Sequence, residues 1–351
     1  MFDALFSWLR ARWVRRSTFF GVIGLLGLAA CGQLEQKERE IVFRIEPNNA
    51  GWFGGVPDGV TEFDIPLVAE GRAQHIHAWW WPAARRDAPA ILYLHGSRWN
   101  LTAQLFRIEQ LRDFGFSVLA IDYRGFGQSS ATLPSEKTVY QDARVAWQRL
   151  ATLQPVAAKR FIYGHSLGGA VAIDLAAQLS ETSRESAPGA GEINSPGEAR
   201  RSTGTAAHFA GPAAKASAAA GGLIVESSFT SLAELARALS SPWLPVQLLL
   251  SQKFDSVDKI AEVRMPVLLV HGTGDRYVPS RFSEALFAAA PEPKKLLLID
   301  GASHNNSIRV GGDKYRQALK ELFAMGGQVD KTSSLTNPVA SGAAAGLIGV
   351  H

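Results

Sequence analysis

From residue 90 onward, short runs of consecutive apolar residues alternate with longer amphipathic ones. AILYLHG ends at Gly96, SVLAIDYRG at Gly125, RFIYGHS at Ser166, GLIVESS at Ser228, VLLVHGTGD at Asp275 and KLLLID at Asp300. Between them lie stretches such as VYQDARVAWQRLATL and SRFSEALFAAA, whose apolar positions recur at helical spacing. Near-continuous Val/Ile/Leu runs of strand length, separated by helices, predict an α/β fold with a mostly parallel central sheet covered on both faces. Shorter β-like runs precede this pattern: IVFRIEP near 41, TEFDIPLV near 61 and HIHAWWWPA near 75. One domain over 41–325 accommodates them all.

Three segments depart from the alternation. Residues 181–221 are rich in Ala, Gly, Ser and Pro without periodicity, and read as a disordered insertion. The insertion follows a helix and precedes a strand. In a parallel sheet such connections lie at the edge opposite the one where ligands bind, so it is not expected to act as a lid. The connection from Phe229 to Val263 follows a strand instead and emerges on the ligand-binding edge. With its apolar PWLPVQLLL it predicts a small cap after the sixth strand that lines or covers a pocket. Residues 326–351 show no usable pattern and read as a flexible tail.

The first thirty residues have a different character. Four arginines precede STFFGVIGLLGLAA, a fourteen-residue apolar stretch, shorter than the roughly 20 residues a membrane-spanning helix requires. This predicts a signal peptide over 1–30. Arg15 and Arg16 leave a twin-arginine export route open beside the general one. The stretch ends at Cys31, the sole cysteine, in the context LAACG. This resembles the lipobox of bacterial lipoproteins, and the resemblance implies that Cys31 is lipidated and becomes the new N-terminus. The protein is then exported and lipid-anchored to a bacterial membrane, on the periplasmic side or the cell surface. The polar segment 31–40 reads as a tether between lipid and domain. A single cysteine leaves no partner for an intrachain disulfide.

At 351 residues with 46% hydrophobic content, the chain is long enough for a large core. The formal net charge is +4, of which residues 1–30 carry +3. The nearly neutral remainder has no electrostatic footprint for a nucleic-acid partner. Neither a Walker nor a Rossmann glycine pattern occurs, so no nucleotide cofactor is expected. His75 and His77, two apart on a strand, share a face but lack a third ligand at suitable spacing, and are read as a pair on a solvated face. Trp79, Trp80 and Trp81 alternate between faces, which favours mixed core and edge packing over an exposed aromatic platform.

The candidate chemistry lies at 161–174, FIYGHSLGGAVAID. An apolar strand passing through Gly-x-Ser-x-Gly into a helix is the signature of a nucleophile elbow, a tight strained turn that presents Ser166 at the top of the sheet. Gly164 and Gly168 remove side chains where strand and helix approach closely. The next backbone N–H, that of Leu167, is placed to face a developing oxyanion. A serine nucleophile needs a base, and the base an orienting acid. On a parallel sheet of this type the chain order is Ser, acid, His, each just beyond a strand. Asp275 in HGTGDRYVP and His304 in LLLIDGASHNN satisfy that order. Glu226, after the preceding strand, is the alternative acid, but the turn around Asp275, with Pro279, is better suited to present a carboxylate to His304. Asp122, upstream of the serine in a turn, is assigned a structural role.

LHGSRWN, DYRGFGQS, GHSLGG, ESSFTSL, HGTGDRYVP and GASHNN fall in order across residues 90–305. Together they resemble the α/β-hydrolase superfamily, and their wording is closest to its Bem46-like and serine-aminopeptidase-like (S33) branch. His95 and Gly96 resemble the His-Gly motif of serine hydrolases, which implies the backbone N–H of Ser97 as the second oxyanion donor. The departures from the pattern are the insertion at 181–221 and a serine at 97, where many relatives have asparagine. The resemblance implies a cofactor-free serine hydrolase that acts on a carboxylic ester or thioester through an acyl-enzyme. A peptidase or amidase would use the same triad, and a lipoprotein that keeps the fold only as a scaffold is the non-enzymatic alternative. A serine at the elbow disfavours epoxide-hydrolase or dehalogenase chemistry, whose relatives carry aspartate there.

Overall fold

The structure is a computed structural model and describes residues 32–185, 220–240 and 250–324. Eight strands form one sheet in the order β1-β2-β4-β3-β5-β6-β7-β8. They are β1 (Thr61–Ala69), β2 (Arg72–Trp81), β3 (Ala90–Leu94), β4 (Ser117–Ile121), β5 (Arg160–His165), β6 (Gly222–Glu226), β7 (Val267–Gly272) and β8 (Lys294–Ile299). β2 is antiparallel to both β1 and β4, and every other neighbouring pair is parallel. This is the mostly parallel α/β sheet that the sequence pattern predicts, in the α/β-hydrolase arrangement that the resemblance implies. β3 through β7 are buried along their whole length, which explains why they read as unbroken apolar runs.

Strand alternation divides the core into two layers. Leu92, Leu94 and Leu119 point to one face, with Val139 and Trp147 of α3 (Glu136–Leu153) and Val171 of α4 (Leu167–Glu185). Ile91, Tyr93 and Val118 point to the other, with Ile108 and Leu111 of α2 (Leu105–Asp113). On that second face lie also Ile308 of α8 (Ser307–Val310) and Tyr315 and Leu319 of α9 (Gly312–Phe323). Three further helices, α5 (Leu232–Leu239), α6 (Ser256–Ile260) and α7 (Arg281–Ala289), complete the connections after β6 and β7. The first two strands form a hairpin that turns at Glu70 and Gly71, both at positive φ. Two left-handed residues give a turn whose twist matches that of the flanking strands. Pro66 is tolerated because β1 is the sheet's edge strand. Trp79 and Trp81 are buried and Trp80 half-buried, the mixed packing expected of the run.

The N-terminal reading needs correction. Residues 32–43 form a helix, α1, where a polar tether over 31–40 and a β-like run near 41 were expected. Two of its polar residues are satisfied by distant backbone. The Glu38 carboxylate accepts from the N–H groups of Ser251 and Gln252 at 2.8–2.9 Å, and Arg39 donates to the carbonyls of Leu133 and Pro134. Phe43 ends the helix fully buried, edge-on to Phe126 and Phe254. Side chains that read as solvent-seeking in a one-dimensional pattern are thus docking groups, and local propensity is overridden by tertiary contacts.

His77 also departs from expectation. It is buried rather than solvated, with its two ring nitrogens 3.2–3.3 Å from Glu62 and Asp64 on the paired strand. His75 contacts Gln128 and Ser130 in the loop after β4. The signal peptide with Cys31, residues 186–219 of the insertion, most of PWLPVQLLL and the tail from 325 lie outside the described residues. Among the described residues, no helix is long and apolar enough to cross a membrane.

Candidate active site

β5 delivers the chain to Ser166, which has φ +56°. A non-glycine residue in the left-handed region costs roughly 1–2 kcal/mol and persists only where its surroundings over-determine it. Here they do. The Ser166 N–H donates to the Glu226 carbonyl at 2.9 Å, and its own carbonyl accepts from Gly169 N–H and Ser228 Oγ, each at 2.9 Å. The flanking glycines are required by space. A Cβ on Gly164 would lie 2.1 Å from the Gly168 carbonyl oxygen, and one on Gly168 would lie 2.1 Å from that of Leu94. α4 then begins at Leu167, which directs the positive end of its backbone dipole toward the serine.

Two other strand ends bring partners to this hydroxyl. His304, in the loop after β8, has Nε2 3.1 Å from Ser166 Oγ and Nδ1 2.7 Å from Asp275 Oδ2. Asp275, in the loop after β7, accepts on Oδ1 from the N–H groups of Tyr277 and Val278, both at 2.9 Å. His271 Nε2 stands 3.2 Å from Oδ2. Burial acts to raise the pKa of this carboxyl, but hydrogen bonds from His271 and His304 prevail and hold it well below the usual carboxylate range. An ionised Asp275 accepts the Nδ1 proton of His304, leaving Nε2 free to accept from the serine. Three residues spread over 138 positions of the chain thus form one hydrogen-bonded line.

Glu226, the alternative acid, is engaged elsewhere. It is fully buried at the end of β6, where Tyr163 Oη donates to it at 2.7 Å and Arg107 Nε lies 3.7 Å away. This buried polar cluster reaches His304 through His165. The His165 ring packs 4.9 Å from that of His304, and its Nε2 sits 2.9 Å from the His304 carbonyl and 3.0 Å from Arg107 Nη2. Burial, the Arg107 charge and His304 all depress its pKa, so the ring is neutral. One tautomer donates to the carbonyl and the other accepts from the guanidinium. Arg107 and His271 carry no signal in the sequence. Arg107 lies in an ordinary amphipathic helix, and His271 is one more residue of a strand until the fold brings Asp275 beside it.

Ser97 is half-buried in the loop after β3. The adjacent Gly96 lies against Ser166, since a Cβ there would be 3.1 Å from Ser166 Cβ. His95 is buried beneath, with Nδ1 2.6 Å from the Gly96 carbonyl and its ring 4.6 Å from Tyr123. Asp122 lies 3.5 Å from His95 and accepts the Leu101 N–H at 2.9 Å, in keeping with a structural role. Burial pushes its carboxyl up to about 7 and the His95 imidazole down to about 4. Among the described residues, no group of three or more His, Cys, Asp or Glu could hold a metal.

The sequence model of the serine aminopeptidase S33 family matches residues 86–307, the span from just before β3 to beyond His304. The chain belongs to that family. An uncharacterised protein of Mycobacterium tuberculosis, Rv2307c, is 33% identical over 89% of this chain and 99% of its own length. YfhR of Escherichia coli K12, also uncharacterised, is 27% identical over 76% of this chain and 82% of its own. Among solved structures, an α/β hydrolase from Vibrio vulnificus superimposes with a TM-score of 0.54 at 18% identity, covering 76% of this chain and 82% of that one. The Pyrococcus furiosus esterase Pf2001 gives 0.53 at 17%, covering 80% and 100%. At these identities the structures establish the α/β-hydrolase fold. With the family they identify the chain as a hydrolase.

Proposed function

We propose that this hydrolase cleaves a carboxylic ester or thioester through a Ser166–His304–Asp275 triad and an acyl-enzyme. The observation that carries the reading is the continuous hydrogen-bonded line from Ser166 Oγ through His304 to Asp275. His304 Nε2 takes the serine proton as Oγ attacks the acyl carbon, and Asp275 stabilises the imidazolium. The carbonyl oxygen becomes an oxyanion held by the N–H groups of Leu167 and Ser97. Collapse expels the alcohol or thiol, which receives the proton from His304. Water, activated by the same histidine, then releases the acid. The substrate is a small-molecule acyl compound, and no cofactor takes part.

The family's aminopeptidase name keeps amide cleavage as the second reading. Ester cleavage is taken first because the two acids the sequence offers for the site are already engaged, Asp275 by His304 and Glu226 by Tyr163. Neither is free to bind the ammonium group of a peptide substrate. The test compares p-nitrophenyl esters of graded acyl length with aminoacyl amides. Ester turnover should dominate, and Ser166→Ala should lower kcat on the order of 10⁶-fold. Faster amide turnover would replace the ester reading, and full activity in Ser166→Ala would reject the triad.

Cys31 and the apolar stretch before it support a further proposal, that the mature protein is anchored by lipid on the outer side of a bacterial membrane. Cys31→Ala should then move the protein from the membrane fraction to the soluble fraction and abolish incorporation of labelled palmitate. Unchanged fractionation without palmitate label in the wild type would exclude the anchor.

A further inference from the structure

The loop that carries Ser97 does not hold itself in place. Its next residue, Arg98, has φ +82°, a left-handed conformation without glycine's freedom. His95 holds the Gly96 carbonyl before it and Asp122 the Leu101 N–H after it, but the two peptide groups of Arg98 are fixed by residues 43–50, which run alongside. The Arg98 N–H donates to the Phe43 carbonyl at 2.7 Å, and the Arg98 carbonyl accepts from the Glu46 N–H at 2.8 Å. Arg98 Nε donates to the Glu46 carboxylate at 3.0 Å. Further on, Asn100 Nδ2 donates to the Asn48 carbonyl at 3.2 Å and the Ala50 N–H donates to Thr102 Oγ1 at 2.9 Å. Trp52 and Trp99 then meet with ring centroids 5.9 Å apart. The strap is itself fixed at its start, because Phe43 is buried between Phe126 and Phe254, and Phe126 packs against His95.

We infer that residues 43–50 are a positioning element of the active site, a strap that fixes the far side of Ser97 by clamping both peptide groups of Arg98, while His95 holds the Gly96–Ser97 peptide that carries the N–H. The strap lies before residue 86, where the family match begins. The catalytic loop is therefore completed by chain from outside the matched segment. This inference rests on the proposed role of Ser97 as an oxyanion donor. A donor displaced by a fraction of an ångström loses most in the transition state, where the oxygen bears its full charge, so the strap acts on kcat rather than on KM.

The test uses the full chain with Glu46→Pro, which deletes the N–H given to Arg98, and Glu46→Ala, which keeps that N–H and removes only the exposed ion pair. Thr102→Val deletes the acceptor of the Ala50 N–H. Active sites are counted by fluorophosphonate titration, so that any unfolded fraction drops out of the rate. Glu46→Pro should lower kcat per titrated site about tenfold to a hundredfold, less than the roughly 10²- to 10³-fold of losing an oxyanion donor outright, with KM little changed. Affinity for a trifluoromethyl ketone should fall in parallel. Ser166 Oγ adds to the carbonyl carbon of that ketone, the serine proton passes to His304, and the ketone oxygen becomes an oxyanion in the hole. Thr102→Val should fall by a smaller factor, and Glu46→Ala by less than Glu46→Pro.

Unchanged kcat per site and ketone affinity in Glu46→Pro and Thr102→Val would overturn the inference, as would equal losses in Glu46→Ala and Glu46→Pro. If Glu46→Pro yields no titratable protein, Thr102→Val decides alone. Wild-type protein that neither labels nor hydrolyses would overturn the hydrolase mechanism itself, and the strap's role with it.

Discussion

At the scale of single residues, the site combines two carboxylates held in opposite ways. Asp275 is kept ionised by two backbone N–H groups and the His304 ring, with the His271 ring 3.2 Å away. Asp122 is buried with one backbone donor, and burial raises it to about 7. The consequence for stability has a definite sign. Above pH 4 the unfolded chain has lost the Asp122 proton while the folded protein retains it, so stability contributed by this group declines as pH rises toward 7. The slope approaches about 1.4 kcal/mol per pH unit from this residue alone. Asp122→Asn should therefore flatten the difference in urea midpoint between pH 5 and pH 7. A mutant that keeps the wild-type pH dependence would show that Asp122 titrates normally in the folded protein. Asp275 works in the opposite direction. Its depressed pKa gives stability that is present at neutral pH and lost only in strong acid.

At the scale of elements, legibility followed burial. β3 to β7 are covered on both faces, and their apolar runs stood out along the chain. The elbow was legible for a related reason, since Gly164 and Gly168 are demanded by backbone contact and no other residue would fit. The meeting of Ser166, His304 and Asp275 could be read because each lies just past a strand on one edge of the sheet. α1 could not be read that way. Glu38 and Arg39 look like solvent-facing residues until the chain folds and their partners arrive from Ser251, Gln252, Leu133 and Pro134. The same holds for the cluster of Arg107, Glu226, Tyr163 and His165, whose members come from separate elements and share no local pattern. The strap over 43–50 is another case, because backbone bonds to a left-handed arginine leave almost no trace in side-chain identity.

At the scale of the whole molecule, one edge of the sheet gathers the strained and polar features. Ser166, Ser227 and Arg98 adopt left-handed conformations just beyond the ends of β5, β6 and β3. Concentrated strain of this kind is retained where the surrounding structure over-determines it and function benefits from preorganisation. The N-terminal helix and strap join this edge, bonding to the loops after β3, β4 and β6. The part of the chain nearest the proposed lipid anchor is thus also in contact with the catalytic loops.

The central claim is that three distant side chains turn one alcohol into a nucleophile. The most direct measurement is peptide mapping by mass spectrometry after reaction with a fluorophosphonate, in which Ser166 Oγ would bond to phosphorus, fluoride would leave and His304 would take the proton. The account predicts a single adduct on Ser166, absent in Ser166→Ala and formed far more slowly in His304→Ala. An adduct on any other residue, or none on folded protein that hydrolyses esters, would contradict it.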